Sequence, residues 1–464
     1  MDNVSTPENG TKGMIAGINF LVSRAHNIKN ELLATPHLRE LLIEQMFAVA
    51  IVTLGAPGCK GGCHRWLFDS LILIAPKWED RGKLSILCDE VREMVKVNEE
   101  RLLRQFLDLL QVYSPSLQEG EIAALLEREL TALGLEVWND RTGQGETGNL
   151  IGLWRGDGQG VPIFLCAHMD TVEPAKGVRP VVEGGVVRSD GKTILGADCK
   201  APIASILESI RIVREEGLPH GDIEVVFTYG EEKGMMGART LDTSTLKARY
   251  GFVADAETAP GSIVSQGPAQ DRFRVVFHGK PAHAGVEPEK GVNALVAAAK
   301  ALSRMPLGRI DEETTANIGL IKGGTARNIV PDRVELEGEA RSRDNQKLDG
   351  QTRAMVDAME SAAREIGAQL ELDVVRAYES FSWEKDHPVV QMAWAAAEKA
   401  GLEPQLVSSG GGTDAHIIIS KGIPTAVLGV GLVKPHSLEE HIKIEDMVSL
   451  THQLVALIRT AHES

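Results

Sequence analysis

From about residue 98 onward, the apolar positions of this chain alternate between helical and extended spacing. Residues 99–112 carry a clean helical pattern, and residues 121–133 place Ile122, Leu125, Leu126 and Leu130 on one face. Residues 161–166 form a short apolar run just before His168, which predicts a buried strand. Residues 201–216 return to helical spacing through Ile203, Ile206, Leu207, Ile210 and Val213, with Gly217 as the stop. Strands follow at 223–229 and 251–254. This alternation predicts an α/β fold, a mostly parallel sheet with helices on both faces.

The texture changes after Gly267. Residues 272–278 alternate, with Phe273, Val275 and Phe277 on one side. A helix at 292–304, strands at 315–321 and 334–340, a helix at 351–366 and a strand at 370–375 complete a β-α-β-β-α-β order, that of a ferredoxin-like α+β module. The first texture then resumes with a helix at 389–400, a strand at 424–428 and a helix at 444–458. The expected organisation is an N-terminal extension (1–93), a large domain in two parts (94–268 and 380–464) and a module inserted between them (269–379).

The extension reads differently. A helical pattern at 38–52 precedes a Cys59, Cys63, His64 cluster whose spacing fits neither haem attachment nor a zinc finger. Met94 directly precedes the first clean helical pattern. The 464 residues exceed one ordinary domain, and 43% hydrophobic with 25% charged residues suits a globular protein. A formal charge of -16 speaks against nucleic acid as a partner. Five cysteines are too few for a disulfide framework, and no signal peptide or membrane-spanning run is evident. The expectation is a cytoplasmic protein with neither a membrane nor a nucleic-acid partner.

The polar clusters fall near predicted strand ends. His168 and Asp170 follow the strand at 161–166, Glu231 and Glu232 that at 223–229, Asp255 that at 251–254, and His436 that at 424–428. Asp198 precedes the helix at 201–216. Ligands of open parallel sheets bind beyond the carboxyl ends of the strands, so these side chains can share one crevice. His with carboxylates suits zinc or a similar divalent ion in a catalytic setting. Two such ions need a carboxylate to bridge them and would acidify a water. Adjacent Glu231 and Glu232 can divide the roles of base and ligand, and Asp170 can accept the second ring N–H of His168. Taken singly each has a plainer reading: Glu-Glu as a solvated loop, Asp198 as a helix N-cap. The ordered set is more specific than its parts.

The runs HMDTV from His168, TILGAD ending at Asp198, GEE from Gly230 and VAD ending at Asp255 resemble the dizinc peptidase family of peptidase T, carboxypeptidase G2 and aminoacylase, and within it the peptidase T-like tripeptidases. GKPAHAG around His283, GGTARNIVP around Asn328, GGGTD from Gly410 and PHS around His436 match as well. The likeness runs from about residue 96 to the end. It implies a zinc-exopeptidase-like fold whose inserted module is a lid and dimerisation domain. It implies two Zn2+ per subunit, with Co2+ or Mn2+ as substitutes. Asp198 would bridge them, His168 and Asp255 completing one site, Glu232 and His436 the other. Glu231 would be the general base, Asp170 would orient His168, and His283 would stabilise the oxyanion, in many relatives across a dimer interface. Asn328, Arg341 and the backbone of Gly410, Gly411 and Gly412 would hold the substrate's polar end. Plainer readings exist here too: the glycines as a turn, Arg341 as a surface charge, with Arg343 two residues on. One departure is Cys199, where many relatives carry a second acid. It is open to two readings, a thiolate ligand or a buried non-ligand.

The expected activity is aminopeptidase cleavage of short peptides, tripeptides above all, by a homodimer. A deacylase or carboxypeptidase of the same family is the rival reaction. A non-catalytic binding protein on the same fold is the rival of another class.

Overall fold

The computed structural model describes residues 96–141 and 144–464. The helix expected at 38–52, the Cys59, Cys63, His64 cluster and the rest of the extension lie outside the described residues.

The chain opens with α1 (Glu99–Leu110) and α2 (Gly120–Ala132), then strands β1 (Glu136–Asn139), β2 (Leu150–Trp154), β3 (Ile163–His168), β4 (Pro180–Glu183) and β5 (Val186–Ser189). Next come α3 (Ala197–Glu215), β6 (Ile223–Thr228), α4 (Met236–Thr240), β7 (Tyr250–Ala256) and β8 (Ser262–Gly267). A separate sheet contains β9 (Ala269–His278), β10 (Gly308–Arg309), β11 (Thr314–Gly323), β12 (Arg333–Ser342) and β13 (Gln369–Tyr378), with α5 (Ala294–Arg304) and α6 (Asn345–Ile366) between its strands. The chain ends with β14 (Phe381–Ser382), α7 (Pro388–Lys399), β15 (Gln405–Ser408), α8 (Asp414–Ser420), β16 (Thr425–Gly429), β17 (His441–Lys443) and α9 (Ile444–Glu463).

The large sheet runs β1-β2-β6-β3-β7-β16-β8-β14, with β15 paired to β8. Its centre, β6-β3-β7-β16, is parallel, and the strands flanking it on either side are antiparallel. β3, β6 and β16 are buried along their whole length, as strands covered on both faces must be. Alternate residues feed two cores. Leu165, Val225 and Phe227 join the side holding α1, α3, α7 and α9, while Phe164, Cys166 and Val226 join the side holding α8. Packing at the centre leaves no slack: a Cβ on Gly251 of β7 would lie 1.9 Å from the Phe164 ring.

The second sheet, β10-β11-β12-β9-β13, is antiparallel and covered on one face by α5 and α6 through Phe273, Val275, Leu336, Ala297 and Met355. Leaving aside the two-residue β10, its order is that of the expected ferredoxin-like module. A small sheet, β17-β5-β4, stands apart.

Some boundaries differ from the periodicity in ways that bear on the site. His168 is the last residue of β3 and Asp255 lies inside β7, so neither is strictly beyond its strand. Asp198 is not an N-cap. The helical segment starts at Ala197 after Gly196, and Asp198 and Cys199 interrupt it with non-helical backbone (Asp198 ψ 102°). The Asp198–Cys199 peptide is cis. Among the described residues, no helix is long and apolar enough to cross a membrane.

Candidate metal centre

The parallel register aligns the C-terminal ends of β3, β6, β7 and β16, and the polar residues there converge. His168 is buried. Its Nε2 lies 3.0 Å from Asp198 Oδ1 and 3.6 Å from Asp255 Oδ1. Across the cluster, His436 Nε2 lies 2.8 Å from Glu232 Oε1 and 3.3 Å from Asp198 Oδ2. Asp198 thus presents one oxygen to each histidine. Possible donor atoms fall into three groups, each within 4.8 Å: His168, Asp198, Cys199, Asp255; His168, Glu231, Glu232; and Asp198, Glu232, His436. All five expected ligands and Glu231 are therefore brought together.

The donor chemistry fits cations. His168 Nδ1 donates to the backbone carbonyl of Asp170 at 2.9 Å, which leaves the Nε2 lone pair facing two carboxylates. Burial and the neighbouring Asp255 carboxylate push Glu231 well above the usual carboxylate range. Burial, with Asp198 adding to it, pushes Asp255 up to about 7. Asp198 is held below its usual range because the two histidine rings facing its oxygens outweigh its burial. Acids packed this closely against a lone pair suit divalent ions. Cys199 Sγ donates instead to Ala254 O at 3.2 Å, and burial pushes the thiol up to about 12, which describes a buried neutral thiol.

Asp170 does more than expected. Its carboxylate is 3.4 Å from His168 Nδ1, farther than its own backbone carbonyl. Beside His168, that carboxylate accepts the backbone N–H groups of Glu231 (2.9 Å) and Glu232 (3.2 Å) and the Ser116 hydroxyl (2.6 Å). Buried Glu119 adds a bond from Gly230 N at 2.9 Å. Two carboxylates therefore hold the Gly230–Glu231–Glu232 turn by its backbone.

Glu440 was missed by the sequence reading, although it stands only four residues past His436. Its buried carboxylate accepts the backbone N–H groups of Leu195 (2.8 Å), Gly196 (2.8 Å) and Asp198 (3.1 Å). It ties the His436 loop, where His436 itself has φ 60°, to the Asp198 loop. Glu440→Ala leaves three N–H groups without acceptors, two of them buried. Unfolding in urea is expected to show a loss of about 3 kcal/mol, bonds to a charged acceptor being among the stronger ones.

The cluster opens into a cavity of about 760 Å³ whose lining includes Glu231, Glu232, Arg341, Gly411 and Gly412. Arg341 donates to both Glu339 oxygens and to Gly410 O. Arg343 turns instead to Glu312 O at 3.4 Å. Gly411 N–H is taken by Ser409 Oγ at 2.9 Å, and a Cβ on Gly412 would lie 2.4 Å from the Tyr378 hydroxyl. His283 and Asn328 are not among the residues lining the cavity. Both are exposed on adjoining loops of the second sheet's module, Ala284 N donating to Asn328 O at 3.0 Å.

Comparison with known proteins agrees with this geometry. YqjE of Bacillus subtilis (strain 168) is 46% identical over 369 residues, which cover 79% of this chain and 99% of that protein. A crystal structure of aminopeptidase PepT from Bacillus cereus ATCC 10987 superposes with a TM-score of 0.72 at 44% identity, over 79% of this chain and 99% of that one. One of a tripeptidase from Staphylococcus aureus subsp. aureus Mu50 gives 0.76 at 40% identity, over 79% and 100%. Residues 164–460, which hold every candidate ligand, match the model of peptidase family M20/M25/M40, and the chain belongs to that family.

Proposed function

We propose that this chain is a cytoplasmic dizinc aminopeptidase that removes the N-terminal residue of short peptides, tripeptides above all. The observation that carries this reading is the convergence of His168, Asp198, Glu232, Asp255 and His436 around Glu231 at the mouth of one cavity. The PepT aminopeptidase and the tripeptidase, each similar over most of this chain, favour peptides over other amides.

In this reading Asp198 is the shared ligand, His168 and Asp255 complete one site, and Glu232 and His436 complete the other. Two divalent ions held there would polarise the scissile carbonyl and bring the pKa of a water to roughly 7. Glu231 takes the proton from the attacking water and delivers it to the departing amine. Asp170 and Glu119 keep Glu231 in place through the turn's backbone.

His283 and Asn328 act from the inserted module, residues 269–379, on the site of a second subunit. Their exposure and their position outside the cavity support a homodimer. So do the apolar side chains left in solvent on the same module, among them Val286, Leu295, Leu320, Ile321 and Ile329. β10 pairs with β11 only at Thr315 and Ala316, which leaves the apolar end of β11 as an open edge.

The test pairs metal analysis with a panel of di-, tri- and tetrapeptides and an N-acylated tripeptide. About two metals per chain and cleavage of the unblocked tripeptide, lost on chelation and restored by Zn2+, are the expected results. Cleavage of the N-acylated peptide alone would assign a deacylase.

A further inference from the structure

The cavity carries a cation that the reading above does not use. Arg272, on β9, lines it beside Gly234, three residues past Glu231. Its Nε donates to Oε1 of buried Gln270 at 3.0 Å, and Gln270 Nε2 in turn donates to Glu339 Oε2 at 2.6 Å. The guanidinium is thus held by its inner edge. Its two terminal nitrogens pack over Gly234, where an added Cβ would lie 3.1 and 3.3 Å from them, so only glycine (φ +101°) leaves room for the group.

Charge at this end of the cavity is out of balance. Arg272 and Arg341 line it, Arg239 lies close enough behind Gly234 to feel Arg272, and the carboxylates that act on Arg341 and Arg239 are Glu339 and buried Asp414. Arg341 takes both oxygens of Glu339. Arg239 is spent on backbone carbonyls, donating to Gly234 O and Ala377 O. Among the described residues, Arg272 has no carboxylate partner, and its terminal N–H groups have no acceptor. An anchored, forked donor with empty outer positions suits a carboxylate.

We propose that Arg272 recognises a carboxylate of the bound peptide, either its free C-terminus or an acidic side chain. This rests on the peptidase reading and names a specificity residue for the same cavity.

The experiment measures kcat and KM of the wild type, R272Q and R272K on a neutral tripeptide, its C-terminal amide, and the same tripeptide with Glu at each position. R272Q is expected to raise KM by about 10- to 100-fold on carboxylate-bearing substrates, with a much smaller effect on kcat and partial recovery in R272K. A loss larger on the acid than on the amide assigns the C-terminus. A loss confined to the Glu-containing peptides assigns the side chain. An equal loss on every substrate, or none, overturns the proposal. A wild type that cleaves no peptide would sink the peptidase reading instead. Calorimetric binding of the acid and amide by wild type and R272Q would then still decide the role of Arg272.

Discussion

Glu231→Gln is expected to lower kcat by about 10²- to 10⁴-fold while the protein still binds its full complement of metal. The substitution keeps the side chain's size and removes its ability to take a proton. The turn should not move, because Asp170 and Glu119 hold it by backbone N–H groups that glutamine retains. Steady-state kinetics beside metal analysis of the same preparation checks this. Undiminished turnover with metal bound would remove Glu231 from the chemistry.

Asp198→Ala is expected to fail differently. Each Asp198 oxygen faces a different histidine, so its loss opens both halves of the cluster together. Metal affinity should fall by more than the roughly 10- to 100-fold typical of losing a supporting residue, and activity should fall with it. Titration with a competing chelator reads the affinity directly. The pair of variants separates proton transfer from cation holding: one loses rate with metal bound, the other loses metal first. Retention of two metals by Asp198→Ala would show that this carboxylate is not shared.

Much of this was legible in the chain itself. The central strands are buried on both faces, so they read as apolar runs, and the candidate ligands stand at or near their ends. The ferredoxin-like order was legible because β9 and β12 alternate cleanly. β2 was missed, although its LIGLW run is fully buried. Its periodicity is too short to separate a strand from a helix turn. β4, β5 and β17 are four, four and three residues long and gave no period at all. Within the site, residue types chosen for chemistry stood out, whereas residues that act on backbone did not. Glu440 and Glu119 look like ordinary surface acids in a sequence. Only the fold shows their carboxylates buried against N–H groups far along the chain. Asp170 was noticed for its nearness to His168, but that its carboxylate also holds the Glu231 turn was not visible in the sequence. Arg272 sits in an alternating strand where an exposed arginine is unremarkable until Gly234 is found beneath it.

The bonds from Leu195 and Gly196 to Glu440 span 245 and 244 positions. During synthesis the Asp198 loop leaves the ribosome long before its clamp does, and so does every candidate ligand except His436. The second sheet and its helices α5 and α6 are made in the interval. The centre is therefore finished last, when the segment from β16 to α9 docks. A nascent chain that stops short of that segment holds His168, Asp198, Glu232 and Asp255 but neither the remaining histidine nor the carboxylate that fixes the Asp198 loop. A hydrolase assembled in this order cannot complete this cluster until the segment from β16 to α9 has joined it.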